Sequence, residues 1–486
     1  MSITFGTEGW RAVIADEFTL ANVRLVTQAI ADHLLEQARP HPRPDQSRSR
    51  GGRHPAVVVG YDTRFLSDRV AQCVGDVLAG NDITAILSDR AVPTCAVSRY
   101  VVAHRLACGI MITASHNPPA YNGIKVKESF GGSAAPETVA SIERWIGRRP
   151  VKTLARDAPT PRRRGRGLIR QANLLPDFLK GIRAGVDLTA IRRSRLRVVV
   201  DSMHGVGGTL TAQLLAGGRC RIETLHGMPD PMFGGHAPEP IPMHLVELAK
   251  RVKRRRWDIG LATDGDADRL GVIAPNEQFV TPGQVLCMLL EHLIATRRWR
   301  GTVVKSISNT SMIDRLTREL GLPLREVPVG FKHVAKVMQE DDVLIGGEES
   351  GGIGVRGYLP ERDGIFMGLL LLEALAVQRR GLLDLLRGLE RRFGRWCYAR
   401  KDLTLSQEQV ARFFEHLTAN PPDRVAGIPV SEVKTLDGIK LIGRDDSWLL
   451  FRRSGTEPIV RVYAESPAAG GVSRLLAFGV QLVKAA

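Results

Sequence analysis

Short apolar runs alternate along the chain with stretches whose apolar residues recur at helical spacing. The runs at 55–60, 84–87 and 107–112 have the length of buried strands, whereas 22–37 and 68–79 carry the three-to-four-residue period of helices facing a core. This alternation is typical of α/β units built on mainly parallel sheets. The first such unit closes near residue 150, where a basic segment follows.

The alternation continues to about residue 394 and then changes. From Trp396 onward, the strand-like 400–405 is followed by a helical pattern at 407–417 and a hairpin-like pair at 438–442 and 447–451. We therefore predict an α/β protein with three related mixed-sheet α/β domains and a C-terminal α+β domain. The expected boundaries are 1–168, 169–276, 277–394 and 395–486.

Composition changes this picture only through charge. The 486 residues have ordinary hydrophobic (43%) and charged (24%) fractions, but 68 Lys and Arg against 51 Asp and Glu give a formal net charge of +17. Such an excess favours anionic ligands or polyanions. Part of it lies in two loop-like basic runs, 39–53 and 162–166, which lack interleaved aromatics. We interpret both as solvated loops rather than a nucleic-acid surface.

Other sequence features indicate a cytoplasmic protein without a membrane span. Its six cysteines show no CxxC pairing and several lie in apolar context, as expected of reduced, buried thiols. The N-terminus does not resemble a signal peptide. The most apolar run, Met367–Val377, is too short to cross a bilayer.

The segment Thr113-Ala-Ser-His-Asn-Pro-Pro119 offers a nucleophile on a loop. It follows the buried run 107–112, and its two prolines forbid a helix directly behind it. Ser115 is thus expected at the C-terminal end of a strand, where open α/β sheets place ligand chemistry. His116 and Lys125 lie close by in sequence. A plain surface turn rich in Ser, Asn and Pro is the alternative.

The loop Asp264-Gly-Asp-Ala-Asp-Arg269 follows an apolar strand and places three carboxylates at alternate positions. Three hard oxygens converging on one point suit Mg²⁺ and leave room for a phosphate oxygen. An EF-hand requires Gly at the sixth position and Glu at the twelfth, and the chain has Arg269 and Pro275 there. A solvated acidic turn remains the alternative. Arg269 would hold a carboxylate or a phosphate.

Two further loops carry candidate binding groups. Gly346-Gly-Glu-Glu-Ser-Gly-Gly352 offers Glu348 and Ser350 as partners for sugar hydroxyls, although a plain turn is the better interpretation of this loop taken alone. Arg452-Arg-Ser-Gly-Thr-Glu-Pro458 can bind an anion, the alternative being a basic hairpin end. No GxxxxGK[ST] motif occurs in the sequence, which excludes a P-loop nucleotide enzyme. Together the four loops supply the parts of a phosphoryl-transfer site that uses no nucleotide.

These motifs, with Phe5-Gly-Thr-Glu-Gly-Trp-Arg11 at the N-terminus, resemble in type and order those of the α-D-phosphohexomutase family. The resemblance covers nearly the whole chain. It implies four domains around a central cleft, and a phosphorylated Ser115 that binds Mg²⁺ together with Asp264, Asp266 and Asp268. It also implies a sugar 1,6-bisphosphate intermediate, glucose 1,6-bisphosphate for a phosphoglucomutase.

The resemblance also implies roles for other residues. Lys125 is the expected base, His116 assists proton transfer or orients the phosphate, and Arg11 supports the phosphoserine. The remaining substrate contacts implied are Lys305, Lys332, His333, Glu348, Ser350, Arg452, Ser454, Gly455 and Thr456.

The sugar is the open part of this interpretation. Lys332 resembles the lysine of phosphoglucomutases, but His333 follows it directly, and the acid could be either residue. Glu349 likewise resembles the phosphoglucomutase form of the sugar loop, which favours glucose phosphates. A phosphomannomutase or phosphoglucosamine mutase is the alternative within the family, and a polyanion-binding protein is a remote one outside it.

Overall fold

The computed structural model describes residues 3–6, 8–38, 55–154, 168–453 and 459–485. The basic segments 39–53 and 162–166 and the anion-loop residues Ser454, Gly455 and Thr456 lie outside these ranges. The described chain divides into two compact units. Unit 1 is Met1–Val280 with Gly352–Arg379, and unit 2 is Thr281–Gly351 with Arg380–Ala486.

The first sheet of unit 1 is a mixed α/β layer with strand order β1-β5-β4-β2-β3-β6. Strands β4, β2, β3 and β6 are parallel, and β5 and β1 are antiparallel additions at one edge. The bounds are β1 Trp10–Val13, α1 Leu20–Gln37, β2 Ala56–Tyr61, α2 Ser67–Gly80, β3 Thr84–Ser88, α3 Thr94–His104, β4 Cys108–Ile112, β5 Tyr121–Glu128, α4 Pro136–Trp145 and β6 Ile169–Ala172.

Pairing in this sheet places one expected boundary differently. Strand β6 pairs with β3, so the first sheet extends past residue 168. The helices predicted at 22–37 and 68–79 are α1 and α2, and each begins one or two residues earlier than its apolar pattern. The Thr19 side chain accepts from the amide of Asn22 and caps α1, which explains its earlier start.

The second sheet has order β11-β10-β9-β7-β8, with β9, β7 and β8 parallel. It is flanked by α12, a helix buried along most of its length, which contains the run 367–377. The bounds are α5 Leu175–Gly185, α6 Leu188–Arg193, β7 Arg197–Asp201, α7 Leu210–Leu215, β8 Arg221–Leu225, α8 Val246–Arg254, β9 Ile259–Thr263, β10 Leu270–Ile273 and β11 Phe279–Val280. The later segment 352–379 contains α12 Gly364–Gln378 and the short strand β15 Ile353–Val355, which is not part of this second sheet.

Unit 2 contains a group of parallel strands and an antiparallel sheet. Strand β12 pairs in parallel with β13 on one side and with β14 on the other, and the last six strands form an antiparallel sheet of order β16-β21-β20-β19-β18-β17. The hairpin predicted at 438–442 and 447–451 is β19–β20. The bounds are α9 Pro282–Arg297, β12 Thr302–Ser306, α10 Ser311–Leu320, β13 Leu324–Val327, α11 Phe331–Glu340, β14 Val343–Gly347, α13 Leu382–Phe393, β16 Cys397–Thr404, α14 Gln407–Ala419, β17 Arg424–Val425, β18 Ile428–Lys434, β19 Ile439–Gly443, β20 Trp448–Arg453, β21 Ile459–Ser466 and α15 Ala469–Ala485.

The four sheets confirm the predicted fold class: three α/β layers with mixed sheets, then a C-terminal domain with an antiparallel sheet. Among the described helices, none combines the length and apolarity that crossing a bilayer requires.

Candidate active site

Ser115 lies directly after β4, as predicted, in a buried and conformationally unusual position. Its φ of +51° is in the left-handed region, which non-glycine residues seldom adopt. The Ser115 amide donates to Thr113 Oγ1 at 2.8 Å, and that hydroxyl donates to Asp62 Oδ2 at 2.6 Å. Local hydrogen bonds therefore hold the serine in a strained backbone, as is common for residues at functional sites.

The Arg64 side chain fixes the loop that carries Ser115. Its guanidinium donates to the carbonyl oxygens of Ser115 (2.8 Å), Asn117 (2.6 Å), Pro118 (2.9 Å) and Tyr121 (2.8 Å). The side chain is fully buried and pairs with Asp62 at 3.3 Å. The rigid fork of a guanidinium suits this arrangement because it presents several donors in one plane.

The aspartate loop follows β9 and meets the serine loop. Ser115 Oγ donates to Asp264 Oδ2 at 2.8 Å, across 149 residues of sequence. The two backbones come so close that a Cβ at position 265 would lie 2.7 Å from the Ser115 carbonyl oxygen, which requires Gly265 there. The structure thus joins two of the four predicted loops in one site.

The three carboxylates form a compact acidic cluster. Asp264, Asp266 and Asp268 are completely buried, and one oxygen of each lies within 4.8 Å of the others. Asp266 Oδ2 accepts from Thr94 Oγ1 at 2.5 Å, and Asp264 Oδ1 accepts from the amides of Asp268 and Arg269, both at 2.9 Å. Asp266 Oδ1 and Asp268 Oδ1 are buried without a hydrogen-bond partner among the described residues.

Burial and neighbouring charges shift the pKa values of the three aspartates in different directions. Burial, reinforced by Asp266, raises the pKa of Asp264 to about 7, and burial with Asp266 raises the pKa of Asp268 well above its usual range. Burial would also raise the pKa of Asp266, but Lys125 outweighs it and lowers that pKa. The cluster is therefore short of positive charge.

Lys125 and His116 both lie at the site, in different electrostatic states. Lys125 Nζ donates to Asp266 and Asp268 at 2.7 Å each, and although burial lowers its pKa, these carboxylates raise it more. His116 Nδ1 is 3.4 Å from Ser115 Oγ, and burial with the nearby Arg269 and Arg11 lowers its pKa far below the ordinary value. Lys125 is thus an ammonium here and His116 is neutral.

The predicted role of Lys125 as base stays a prediction. A cation bound by Asp266 and Asp268 would weaken the shift that keeps Lys125 protonated. The other two predicted arginines also lie at this site. Arg11 donates to Asn117 Oδ1 at 2.7 Å, and Arg269 Nη1 is 3.4 Å from Glu239.

A layer of buried charges behind the cluster was not predicted from the sequence. Arg362 Nη2 donates to Asp268 Oδ2 at 2.9 Å and to Glu8, and Lys127 donates to Ser133 Oγ at 2.9 Å and to Glu361. These groups come from segments up to 354 residues apart. Their charged types at otherwise apolar positions, such as Lys127 in β5, were the only available signal.

Unit 2 brings together the other predicted loops. Glu348 Oε1 accepts from the amide of Gly330, two residues before Lys332, at 2.8 Å. Asp437 Oδ2 accepts from the amide of Val329 at 2.8 Å and from Arg452 Nε at 2.7 Å. Arg452, His333 and Glu348 therefore belong to one polar cluster. Ser350 lies partly exposed in the same loop as Glu348.

Electrostatics in this cluster favour a neutral histidine. Burial and the adjacent Lys332 lower the pKa of His333. Glu349, the residue that suggested glucose, accepts from the hydroxyls of Ser306 at 2.9 Å and Ser308 at 2.5 Å. Its carboxylate is thus fixed at the end of β12.

Lys305 is engaged in ion pairs. Its ammonium is buried and pairs with Asp314 and, at 3.6 Å, with Glu326. These partners give Lys305 a structural role, and the geometry adds no support to the predicted sugar or phosphate contact.

Comparison with known proteins identifies the family. Models of the phosphoglucomutase/phosphomannomutase α/β/α domains I, II and III match residues 2–150, 176–277 and 281–393. The chain belongs to the α-D-phosphohexomutase family. It is accordingly an enzyme of the intramolecular phosphotransferase class.

Relatives of this phosphohexomutase carry more than one substrate name. A probable phosphoglucosamine mutase from Pyrococcus abyssi is 31% identical over 99% of this chain and 97% of its own length. A phosphoglucomutase/phosphomannomutase from Thermococcus kodakarensis is 28% identical over 100% of this chain and 99% of its own. A structure from Thermus thermophilus, provisionally assigned as a phosphomannomutase, superposes with a TM-score of 0.84 at 34% identity, covering 100% and 99% of the two chains.

The acidic cluster of this phosphohexomutase fits a divalent cation. Asp266 Oδ1 and Asp268 Oδ1, which have no hydrogen-bond partner among the described residues, are suited to a positive group, because buried anionic oxygens are otherwise paired. An all-oxygen set of carboxylates is the donor chemistry that Mg²⁺ prefers. The residues present therefore match the ion that the sequence predicts.

Proposed function

We propose that this phosphohexomutase interconverts glucose 1-phosphate and glucose 6-phosphate, with Ser115 as the phosphate carrier and glucose 1,6-bisphosphate as the intermediate. The observation that carries the proposal is the contact of Ser115 Oγ with Asp264, beside two buried carboxylate oxygens that have no partner among the described residues. A hydroxyl at the edge of a cation site is placed to hold and release a phosphoryl group.

Each half-reaction transfers one phosphoryl group. The bond between phosphorus and Ser115 Oγ breaks while the free hydroxyl of the sugar phosphate bonds to phosphorus, giving the bisphosphate. The hydroxyl proton passes to neutral His116, or to Lys125 in its uncharged amine form, and the same group returns a proton to the departing Ser115 Oγ. The reverse transfer, from the other phosphate of the bisphosphate to Ser115 Oγ, restores the phosphoserine and releases the isomer.

The charges in unit 1 suit this transfer. Asp264, Asp266 and Asp268 would hold Mg²⁺, which supplies positive charge near the transferring phosphoryl oxygens. The side chains of Arg11, Lys125 and Arg269 would add further positive charge near the transferring phosphoryl group. Arg64 and the Thr113 hydroxyl keep the loop in place, so little reorganisation accompanies the step.

Binding of the rest of the substrate is assigned to unit 2. Glu348 and Ser350 would hydrogen-bond the sugar hydroxyls, and Lys332 or His333 would act as acid. Arg452, with Ser454, Gly455 and Thr456 of the same loop, would bind the phosphate that is not reacting. Asp437 accepts from both Val329 and Arg452, and Glu348 accepts from Gly330. These contacts support the grouping of the three loops.

The sugar has a second candidate of equal standing. Glu349 supports glucose through its resemblance to the phosphoglucomutase loop, whereas the names of several relatives support glucosamine phosphate. A second fixed carboxylate near the sugar loop would also attract the ammonium of glucosamine. Values of kcat/KM for the 1-phosphates of glucose, mannose and glucosamine, measured with Mg²⁺, discriminate among them. A preference for glucosamine 1-phosphate would overturn the glucose assignment alone.

The carrier role is tested by Ser115→Ala. We expect kcat to fall by at least about a thousandfold, because alanine has no hydroxyl to hold the phosphoryl group. Intact-protein mass spectrometry should show a phosphorylated fraction of the native protein that is missing from the variant. Ser98→Ala is a matched control, since Ser98 is a buried serine of the same unit whose hydroxyl has no partner among the described residues. Full activity in Ser115→Ala would refute the mechanism.

A further inference from the structure

The second sheet carries a basic surface at the edge away from the aspartate loop. Arg197 and Arg221 begin the parallel neighbours β7 and β8 and are paired in register. The chain reaches β9 on their other side through Arg254, Arg255 and Arg256. The segments that lead into β7, β8 and β9 carry exposed arginines at the N-terminal ends of these strands. We call these seven residues the basic edge: Arg193, Arg195, Arg219, Arg221, Arg254, Arg255 and Arg256.

Hydrogen bonds to backbone carbonyls join the segments that lead into β7, β8 and β9. The amide of Arg219 donates to the Arg192 carbonyl at 2.6 Å, and that of Asp258 donates to the Arg197 carbonyl at 2.9 Å. Arg197 Nη2 also donates to the Arg255 carbonyl at 2.5 Å. These bonds hold the backbones of the arginine-bearing segments next to one another, although the segments lie about 60 residues apart in sequence.

The basic edge is not neutralised within the described chain. None of its seven side chains forms an ion pair with a described carboxylate, whereas the nearby Lys253 and Arg251 are paired with Glu277 and Glu223. The closest acid, Asp258, accepts from the amide of Arg197 at 2.8 Å. Unpaired guanidiniums at this density create a positive potential that attracts polyanions.

A concave site is built into this surface. A cavity of about 560 Å³ is lined by Thr189, Gly217 and Gly218 together with Arg192, Arg193 and Arg219. It offers room for phosphate groups between the segments that lead into β7 and β8. Adjacent strands lie about 4.8 Å apart, so neighbouring arginines can reach successive phosphates of one backbone.

This surface is separate from the catalytic site. The aspartate loop leaves the C-terminal end of β9, whereas the basic edge lies at the N-terminal ends of β7, β8 and β9. Five residues of strand separate the two edges by roughly 16 Å. The phosphosugar proposal therefore does not account for it.

We propose that the basic edge binds the phosphodiester backbone of double-stranded nucleic acid without reading its base sequence. Guanidiniums pair well with phosphates. Residues 186–197, 216–221 and 254–258 contribute no large exposed hydrophobic side chain, and Trp257 is buried beneath Arg197. Neither base stacking nor insertion into a lipid surface is thus favoured.

The test uses the full-length protein and a labelled duplex of about 20 base pairs, in two unrelated sequences, titrated from about 50 to about 200 mM salt. We expect equal affinity for the two sequences and a steep loss of binding with salt. The triple variant Arg254→Gln, Arg255→Gln, Arg256→Gln should bind at least about tenfold more weakly, and the slope of log K against log salt should fall by about 0.9 for each lost phosphate contact.

A matched control removes the same charge elsewhere. Arg387→Gln, Arg391→Gln and Arg395→Gln together remove three exposed arginines of unit 2 and should change the affinity less than about twofold. Equal losses in both triple variants would overturn the proposal, because net charge alone would then explain binding. So would absence of duplex binding, or tighter binding to phosphatidylserine vesicles or polyglutamate. Ser115→Ala should bind the duplex like the native protein, so failure of the mutase mechanism leaves this test intact.

Discussion

At the scale of single residues, Arg64 shows how a side chain can organise a loop that it does not belong to. Four carbonyl oxygens of the serine loop accept from its guanidinium. No other side chain could supply these bonds from one buried position, because only arginine carries five donors in a fixed plane. The left-handed Ser115 depends on this support.

We therefore expect Arg64→Met to lower kcat by about tenfold or more and to destabilise unit 1. Each lost bond from a charged donor is worth about 1.5–3 kcal/mol, and the buried carbonyls would be left without partners. Steady-state kinetics and urea unfolding measure the two effects. Arg90→Met is the control, because Arg90 pairs at the surface with Asp89 and with no other carboxylate among the described residues. A variant with native kcat would show that the loop holds its conformation alone.

The acidic cluster makes a second residue-scale prediction. Asp266→Asn keeps the shape of the side chain but removes a charge from the cation site. We expect Mg²⁺ affinity, measured by calorimetry, to fall by at least about tenfold, with a parallel loss of activity. Asp89→Asn, at an exposed ion pair, should leave Mg²⁺ binding unchanged. Equal affinity in native protein and Asp266→Asn would exclude Asp266 as a ligand.

Residues that are explained by their neighbours in the chain are the ones that the sequence predicts best. The positions of Ser115 and of the three aspartates, each after a strand, were predictable because motif and local structure coincide. Arg64, Glu8 and Arg362 were not, since their partners lie 51 to 354 residues away. Lys305 shows the converse: a lysine ending a strand suggests a ligand contact, and only the fold reveals Asp314 and Glu326 beside it.

At the scale of elements, capping residues determine how precisely the ends of a helix can be predicted from the sequence. Helix α9 begins at Pro282 because Thr281 and Gln284 form a reciprocal capping box, a pattern that is legible in the sequence. The Gln284 amide donates to Thr281 Oγ1 at 3.4 Å, and the Thr281 amide donates to Gln284 Oε1 at 2.9 Å. Helix α11 has no side-chain cap, and its apolar pattern ends two residues before the helix does.

Thr281→Ala should lower the stability of unit 2 by about 1 kcal/mol, the usual cost of losing a threonine cap. The midpoint of urea unfolding, followed by circular dichroism, measures this. Thr418→Ala is the matched control within a helix interior: its hydroxyl donates only to the Phe414 carbonyl, and alanine's helix propensity offsets that loss. If both variants unfold alike, the capping box contributes nothing to the stability of α9.

At the scale of the whole molecule, the class of fold was predictable and the division into units was not. The alternation of strand and helix patterns predicts three α/β layers, and the change after Trp396 predicts the fourth domain. The two compact units cut across that order, since 352–379 belongs with unit 1. That segment contains α12, whose nearly continuous apolar surface signals burial without indicating which sheet covers it.

Global stability should respond to one histidine of unit 1. The hydrogen bond to Asp201 at 2.9 Å, opposed by partial burial, raises the pKa of His226 above its ordinary 6.5. Its stabilising contribution is fully present below pH 6.5 and is lost as pH rises through the folded-state pKa. Glu247 and the ring of His204 also face it.

We expect His226→Gln to lower the Tm more at about pH 5.5 than at about pH 8.5, as measured by thermal unfolding. His104→Gln is the control, because its ring is more exposed and pairs with Asp177 at the surface. An effect of His226→Gln that is independent of pH would mean that the imidazole acts through packing alone.

The long reach of the contacts around Asp268 has a consequence for synthesis. Ser115 meets Asp264 only when residues through 264 have left the ribosome, and Asp268 gains Arg362 almost a hundred residues later. A nascent chain can form the first sheet early, but the buried carboxylates then await their guanidinium. Ser115 therefore cannot reach its finished surroundings until about three quarters of the protein has been made.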